Sequence, residues 1–258
     1  MPEFIDQTGK TIQLVHPPHR IVSLVPSQTE LLAELQLDRE VAGITKFCIH
    51  PEDWFRKKQR VGGTKQLHLE AIRALKPDLI LANVEENVRE QVEALADLCP
   101  VWVSDVSNLE TALEMIRQVG LLTGRVKQAR ELISTIEMRF NDYTPAPPFL
   151  KATYLIWRDP YMTAGGDTFI HAMMEKAGFE NAFKKNTRYP AVTIDDIRHS
   201  GTEVLLLSSE PFPFAQKHVD ELQAQLPATK IILVDGEMFS WYGSRMKYAP
   251  GYFRELMQ

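Results

Sequence analysis

The sequence predicts an α/β protein with two similar lobes, and three observations support this prediction. Residues 69–83 (LEAIRALKPDLILAN) and 194–208 (IDDIRHSGTEVLLLS) align without a gap, and each joins a short helix to an apolar strand. Strands alternate with helices in both halves of the chain, which is typical of parallel sheets covered by helices. Residues 108–143 show helical periodicity and no strand. Two such lobes form a cleft, so we expect a ligand to be held between them.

The first half predicts a Rossmann-like lobe. We expect strands at residues 21–25, 41–45, 78–82 and 101–104, and helices at residues 28–35, 69–75 and 86–99. Ser27, followed three residues later by Glu30, has the spacing of a capping box, so the first helix is predicted to begin after Ser27. Pro77 and Pro100 each follow a predicted helix. We expect each helix to end there, because proline and the residue before it disfavour helical continuation.

The middle of the chain predicts one long backbone helix that joins the lobes. Apolar residues recur at helical spacing until the proline-rich run at residues 144–149. A helix of about 20 residues would be about 30 Å long. Gly120 and Gly124 are the positions that favour a bend or a break. We predict an N-terminal lobe at residues 1–107, a connecting helical segment at 108–144 and a C-terminal lobe at 145–258.

The second half repeats the alternation of strands and helices. We expect strands at residues 152–157, 203–208 and 230–235, and helices at residues 167–177, 193–199, 214–225 and 252–257. Thr193 and Asp196 have the capping-box spacing. Gly178 is placed to end the helix before it, because glycine adopts the left-handed conformation found after helices.

Composition and charge exclude several classes of function. The formal net charge of -5 argues against nucleic acid or an anionic membrane surface as the main partner. No apolar run approaches the roughly 20 residues of a membrane-spanning helix, so we expect no membrane insertion. The N-terminal residues lack a signal-peptide pattern, which by itself predicts a cytoplasmic protein. A periplasmic or otherwise extracytoplasmic protein trimmed after its export signal would have the same start.

The sequence predicts a binding protein with no intrinsic cofactor and no catalytic residues. The motifs of nucleophilic hydrolases, P-loop proteins and zinc proteases are all absent. Cys48 and His50 are candidate ligands for a soft metal. If this segment is extended, both side chains lie on one face of the chain. A structural zinc site needs four ligands, and no complementary pair accompanies them, so we predict no metal site. Cys99 is the second cysteine, and two free thiols are the simpler expectation.

Four further segments, in this order along the chain, indicate a family. They are RIVSLVPSQTELL at residues 20–32, VAGITKFCIHP at 41–51, RVGGTKQLHLEAIRALKPDLILA at 60–82 and PYMTAGGDTFIHAMMEKAG at 160–178. In order and spacing, the chain resembles the class III substrate-binding proteins of ABC importers, which bind vitamin B12, ferric siderophores or haem. It is most similar to the vitamin B12-binding proteins. The resemblance implies two α/β lobes joined by one backbone helix.

The resemblance implies a small-molecule metal chelate or corrinoid as ligand, carried by a monomer to the permease of an ABC importer. Aromatic rings offer such ligands large flat contacts. The segment WYGSR, residues 241–245, falls where the family closes the site; its glycine and serine predict an exposed turn, and its arginine suits an acidic group. Lys65 and Asn83 stand where vitamin B12 binders carry tryptophan. The predicted ligand-binding residues are Phe47, Cys48, His50, Lys65, Asn83, Tyr161, Tyr189, Trp241, Tyr242 and Arg245.

Glu70 and Asp195 occupy equivalent positions in the two aligned segments. In the family, one acid on each lobe pairs with arginines of the permease, so we predict partner docking for these two residues. The alternative is that both are first-turn acids stabilised by the helix dipole. A soluble intracellular protein that handles a corrinoid or tetrapyrrole, as a binder or a chelatase-like enzyme, remains the alternative function, favoured by the missing export signal. A non-binding interaction module is a third.

Overall fold

Two separate sheets form the framework of the protein, whose computed structural model describes residues 2–257. The chain divides into two units. The first unit extends to Val106 and also includes Glu110–Ile136 and Tyr242–Arg245. The second unit comprises Ser107–Leu109, Glu137–Trp241 and the residues from Met246 onward. The α/β class predicted from the sequence is confirmed, with one largely parallel sheet in each unit.

The first unit contains a five-stranded parallel sheet and a separate antiparallel hairpin. The hairpin pairs β1 (Glu3–Ile5) with β2 (Thr11–Gln13). The sheet has the order β5-β4-β3-β6-β7 and consists of β3 (Ile21–Ser23), β4 (Val41–Ile44), β5 (Gln59–Arg60), β6 (Leu79–Asn83) and β7 (Val101–Ser104). The helices are α1 (Pro26–Glu34), α2 (Glu52–Lys57), α3 (Leu69–Leu75), α4 (Arg89–Ala96), α5 (Leu109–Leu122) and the first part of α6 (Val126–Asn141). Strands β3 and β6 are buried along their whole length, as expected for central strands of a parallel sheet.

The predicted start of α1 is wrong. The helix begins at Pro26 rather than after Ser27, and Val25 is its extended N-cap residue without a side-chain cap. Proline suits the first helical position because its missing N–H would have no partner there and its φ is already helical. Ser27 and Glu30 therefore lie inside the helix, and no capping box forms.

The predicted connecting segment is helical, but it consists of two helices. Gly124 adopts a φ of 69° between α5 and α6, a conformation that glycine adopts without steric cost. Gly120 stays inside α5, where an added Cβ would lie 2.4 Å from the Cβ of Ala129 on α6, so glycine allows the two helices to approach. The chain passes from the first unit to the second after Ile136, within α6. The 16 residues of α6 correspond to about 24 Å.

The second unit contains a four-stranded parallel path with one short antiparallel strand beside it. The order is β10-β8-β11-β12, with β9 antiparallel to β8. The strands are β8 (Leu150–Trp157), β9 (Met162–Thr163), β10 (Phe179–Asn181), β11 (Val204–Ser208) and β12 (Lys230–Val234). The helices are α7 (Phe169–Ala177), α8 (Ile194–His199), α9 (Gln216–Gln225), α10 (Glu237–Ser240) and α11 (Ala249–Leu256), with a 3-10 helix at Ser244–Lys247.

The predicted repeat is visible in the elements. Helix α3 leads into β6 in the first unit, and α8 leads into β11 in the second. The capping box of α8 is confirmed, since Thr193 and Asp196 each bond the other's backbone N–H. Gly178 ends α7 with a φ of 96°, as predicted. Among the described residues, no helix combines the length and the apolar character needed to cross a membrane.

The contrast between the two predicted caps gives a stability test. Thr193→Ala should lower the free energy of unfolding by about 1 kcal/mol, because the Thr193 hydroxyl accepts the N–H of Asp196. Ser27→Ala should cost nothing, because the Ser27 hydroxyl has no partner among the described residues. Urea denaturation of both variants measures this difference. Equal losses would contradict the observed start of α1.

Candidate functional site

The parallel strands of each unit collect their outgoing loops on one edge. In the first unit, residues 45–50 follow β4, residues 61–66 follow β5 and residues 84–88 follow β6. We call this the first-unit edge. In the second unit, Arg158 follows β8, residues 209–213 follow β11 and Asp235 follows β12. We call this the second-unit edge. Ligands of open α/β sheets bind at the carboxyl ends of strands, so both edges are candidate surfaces.

Phe47 presents an exposed ring at the first-unit edge. Half of the residue, 50%, is exposed, and Lys46 Nζ lies 5.0 Å from the ring centroid. Gly63 lies against the same ring: an added Cβ would be 3.1 Å from Phe47 Cε2. Ile49 and Val84 add exposed apolar surface on neighbouring loops of this edge. The first-unit edge therefore combines an aromatic face, aliphatic surface and a cation.

Cys48 and His50 do not share an exposed face. The Cys48 side chain is buried, and its sulfur accepts a hydrogen bond from Thr29 Oγ1 at 3.0 Å. Burial raises the pKa of the Cys48 thiol, which keeps it protonated and a poor metal ligand. His50 is half-buried and lies at a bend. The chain turns at Lys46 and Phe47, directly after β4, and Cys48 then points into the interior while Ile49 is exposed.

Lys65 and Asn83 meet at the same loop. Lys65 Nζ donates to the carbonyl of Glu85, and Asn83 Oδ1 accepts the N–H of Glu85 at 2.8 Å. Asn83 is buried, and its amide also donates to Ser104 Oγ at 2.9 Å. Asn83 thus shapes the loop after β6, whereas Lys65 is exposed at the first-unit edge.

Arg245 is held in the first unit by Glu30. Arg245 Nε lies 3.0 Å from Glu30 Oε2, and Nη2 lies 2.5 Å from Oε1, which is a two-point contact to the second turn of α1. Gly243 packs on the same helix, where an added Cβ would be 2.7 Å from the carbonyl oxygen of Ser27. Tyr242 is 5% exposed. The prediction of an exposed turn is wrong here, because the Arg245–Glu30 pair draws the segment onto α1.

Trp241 is held in the second unit by Glu210. Trp241 Nε1 and Ser240 Oγ each donate to Glu210 Oε1 at 2.7 Å. Trp241 is buried rather than exposed, so the prediction of an exposed ring is wrong for it as well. Burial raises the pKa of Glu210 and outweighs these two hydrogen bonds, which lower it. Nearby carboxylates of Glu237 and Asp235 raise it further.

Tyr161 and Tyr189 lie on adjoining segments of the second unit. Val192 N donates to the Tyr161 carbonyl at 2.9 Å, and Met162 bridges Ala191 in antiparallel fashion. Both tyrosines are half-buried. Burial raises the pKa of the Tyr161 phenol, and the positive charge of Arg158 partly offsets this. The structure therefore brings the segments of these two predicted residues together.

Sequence reasoning missed an aromatic group at the second-unit edge. Trp157, the last residue of β8, is 42% exposed, and its ring meets that of Phe212 edge-on at 5.9 Å. Phe212 in turn contacts Phe214 at 4.7 Å and His218 at 5.3 Å. Arg158 beside it pairs with Glu221 at 2.9 Å. The available signal was the position of Trp157 at the carboxyl end of a predicted strand.

Glu70 and Asp195 have the same local surroundings in the two units. Each is an early residue of its helix, α3 or α8, and the side chains are 84% and 74% exposed. Each also pairs with an arginine three residues later: Glu70 Oε1 lies 2.6 Å from Arg73 Nη1, and Asp195 contacts Arg198. The repeat therefore extends to an acid–arginine couple on each unit.

Within residues 2–257, no group of three or more histidine, cysteine or acidic side chains is arranged to hold a metal ion. Cys48 and Cys99 are both free thiols. Burial raises the pKa of Cys99 to about 12. Neither thiol is therefore a thiolate near neutral pH.

Comparison with known proteins identifies relatives across most of the chain. The sequence model of the periplasmic binding protein family matches residues 21–229. The uncharacterized ABC transporter substrate-binding lipoprotein YvrC of Bacillus subtilis is 26% identical over 74% of this chain and 64% of its own length. The aligned region thus spans less than two thirds of that relative. The vitamin B12-binding protein of Pectobacterium carotovorum is 24% identical over 90% of this chain and 86% of its own.

Solved structures share the fold. The periplasmic haem-binding protein RhuT of Roseiflexus sp. RS-1 superposes with a TM-score of 0.79 at 21% identity, covering 93% of this chain and 99% of that one. A protein described as an ABC-type Fe3+-hydroxamate transport system, from Saccharomonospora viridis, superposes with a TM-score of 0.77 at 20% identity, covering 98% of each chain. At these identities the likeness extends to the fold alone.

The raised pKa of Glu210 predicts a pH-dependent stability. The folded protein binds the Glu210 proton more tightly than the unfolded chain does. The contribution of this carboxyl group to the free energy of unfolding is therefore full at low pH and is lost as pH rises through the raised pKa. Glu210→Gln, uncharged at every pH, should be more stable than the parent near about pH 7 and equal to it near about pH 4. Thermal unfolding across this range measures the difference.

Glu180 provides a control of opposite sign. A hydrogen bond from Lys184 lowers the pKa of Glu180, so its contribution is present above the ordinary glutamate pKa and is lost as pH falls through the lowered one. Glu180→Gln should therefore be slightly less stable than the parent near neutral pH, with the gap closing on acidification. A parallel pH trend for the two variants would contradict the assignment for Glu210.

Proposed function

Because the chain belongs to the periplasmic binding protein family, we propose that it is the substrate-binding protein of an ABC importer and carries a metal chelate or corrinoid to the permease. The protein is a binding protein and not an enzyme. Relatives and structural neighbours are named for vitamin B12, haem and siderophore binding, which supports a flat, ring-bearing or chelated ligand.

One observation is the main support for the proposed class of ligand. Each unit exposes a large aromatic ring at the carboxyl edge of its own sheet. Phe47 does so in the first unit and Trp157 in the second. Exposed apolar surface concentrated at a candidate site marks binding, since burying it against a ligand is favourable. Corrinoids, haem and catecholate or hydroxamate chelates all offer broad faces that such rings cover.

The predicted ligand-binding residues divide into contacts and supports. We assign direct contact to Phe47, His50, Lys65, Tyr161 and Tyr189, which keep accessible surface, and we add Trp157 from the structure. We assign support to Cys48, Asn83, Trp241, Tyr242 and Arg245, because these residues are buried or already committed to partners inside the protein.

We propose that Glu70 and Asp195 dock the protein on the permease. Their pairs with Arg73 and Arg198 are exposed ion pairs, which contribute little to stability, from about 0 to 1 kcal/mol. Each carboxylate can therefore exchange its own arginine for one on a partner at small cost. Charges at matching points of two repeated units suit a partner that presents two equivalent cationic sites.

The proposed working place is outside the cytoplasm, and the proposed form is a monomer. Its relatives include a substrate-binding lipoprotein and its structural neighbours are named as periplasmic binding proteins, which supports this placement. The net charge of -5 suits a protein that must leave an anionic membrane surface between encounters.

A ligand titration tests the binding proposal. Cyanocobalamin, haemin and a ferric hydroxamate should be titrated by calorimetry, and at least one should bind more tightly than about 100 μM. Phe47→Ala and Trp157→Ala should each weaken that binding about tenfold, roughly 1.4 kcal/mol, through the lost ring contact. Phe149→Ala is the matched control, because Phe149 is 51% exposed just before β8, at the opposite end of the strand from Trp157.

Phe149→Ala should leave the affinity unchanged. Absence of binding by all three ligands would overturn the proposed ligand class. Equal losses in Phe47→Ala, Trp157→Ala and Phe149→Ala would instead show that the carboxyl edges are not the binding surface.

Charge reversal tests docking. The variant Glu70→Lys with Asp195→Lys should abolish association with the importer that it serves and leave ligand affinity intact, because like charges would face the permease arginines. Glu90→Lys reverses another first-turn acid, on α4, and serves as the control that should dock normally. Reconstituted transport and a pull-down with the purified permease measure both. Loss of ligand affinity in the double variant would place the acids at the ligand instead.

A further inference from the structure

The first turn of α1 has hydrogen-bond donors with no acceptor. Pro26 has no amide hydrogen, and Thr29 N donates to the Val25 carbonyl at 2.9 Å. Within residues 2–257, no acceptor bonds the backbone N–H of Ser27 or of Gln28. Val25, the N-cap residue, offers no side-chain oxygen. This helix end therefore carries partial positive charge that nothing in the described chain neutralises.

Two buried serine hydroxyls accompany these donors. Ser27 is 4% exposed and Ser244 is 2% exposed, and neither hydroxyl oxygen has a hydrogen-bond partner in the part of the chain that the structure describes. Gly243, directly before Ser244, packs against the carbonyl of Ser27. A buried polar group without a partner destabilises the folded protein. Two such hydroxyls, one in this turn and one next to the glycine that packs on it, indicate a place prepared for an acceptor.

The neighbouring carboxylate of Glu30 does not accept hydrogen bonds from these donors. Glu30 lies in the second turn of α1, where Arg245 holds both of its oxygens, at 3.0 Å and 2.5 Å. That pair fixes the segment that carries Ser244 and keeps the Glu30 carboxylate away from the helix end. The third orphan atom of this turn, Gln28 Oε1, is an acceptor, and its amide nitrogen already donates to Ser104 Oγ at 2.5 Å.

We propose that the first turn of α1, with the Ser27 and Ser244 hydroxyls, is a subsite for an oxyanion group, a phosphate or a carboxylate. The amides of Ser27 and Gln28 and the two hydroxyls supply four donors to its oxygens. Helix N-termini suit such groups through their free N–H donors and dipole. The inference deepens the proposed function and rests on it, because the oxyanion would be one carried by the bound chelate or corrinoid.

The direction of a stability change tests whether the two hydroxyls lack hydrogen-bond partners in the ligand-free protein. Ser27→Ala with Ser244→Ala removes unsatisfied polar atoms, so the ligand-free protein should unfold at the same temperature as the parent or higher. The control is Thr29→Val on the same helix, whose lost hydroxyl bonds Ser23 Oγ at 2.8 Å and the Val25 carbonyl at 2.9 Å. That control should unfold at a lower temperature. A comparable loss in the serine variant would overturn the proposal.

Inorganic phosphate tests the subsite directly. At constant ionic strength, phosphate should raise the unfolding temperature of the parent above that in chloride, and Thr29→Val should keep this increment. The double serine variant should lose it, with at least about tenfold weaker apparent affinity for phosphate. No increment in the parent, or an equal one in the serine variant, would overturn the subsite. Neither measurement uses a chelate, so a failure here is distinct from a failure of the ligand titration.

Discussion

The parallel pairing of the strands is the constraint on which the rest of this structure depends. Parallel neighbours must all end at the same edge of a sheet, so each unit gathers its loops there. The strands need apolar side chains for burial on both faces, and each unit exposes a large aromatic ring at the edge where its strands end. Phe47 and Trp157 are the clearest cases. The topology of each unit therefore gathers its candidate binding residues at one edge.

A second constraint is the ion pair between Arg245 and Glu30. It brings four residues from near the end of the chain, Tyr242–Arg245, into the first unit, although the residues on both sides of them belong to the second. Glycine is required at position 243 of this segment, because a Cβ would meet the carbonyl of Ser27. Loss of one partner of such a shielded pair typically costs several kcal/mol, since the other charge stays behind. Trp241, immediately before this segment, donates its own hydrogen bond to Glu210.

Much of the fold could be predicted from the sequence because its signals are local. Apolar runs, prolines and the repeated segment predicted the main strands, and the bounds of α3 and β7 were predicted to the residue. The start of α1 was missed because Ser27 and Glu30 match a capping-box spacing, whereas Pro26 occupies the first helical position. The short elements β1, β2, β5, β9, β10 and α2 were missed, since two to six residues are too few to show a period.

The candidate site was predictable only in part, for a related reason. Aromatic residues suit a ligand and a core equally well, and which role each takes depends on partners distant in the chain. Trp241 and Tyr242 became buried through contacts that no local pattern reveals, whereas Trp157 stayed exposed at the end of an otherwise buried strand. Residue types at the edges were thus predictable, but their accessibility was not.

Hydrogen–deuterium exchange in the presence of a bound chelate tests the central claim, that the carboxyl edges of the two sheets hold the ligand. With haemin or cyanocobalamin at saturation, the account predicts slower exchange in residues 45–50 and 62–66 of the first unit and in residues 158–162 and 209–213 of the second. Peptides at the amino ends of the same strands should exchange at an unchanged rate. Protection confined to the amino ends, or to segments outside both edges, would contradict the account.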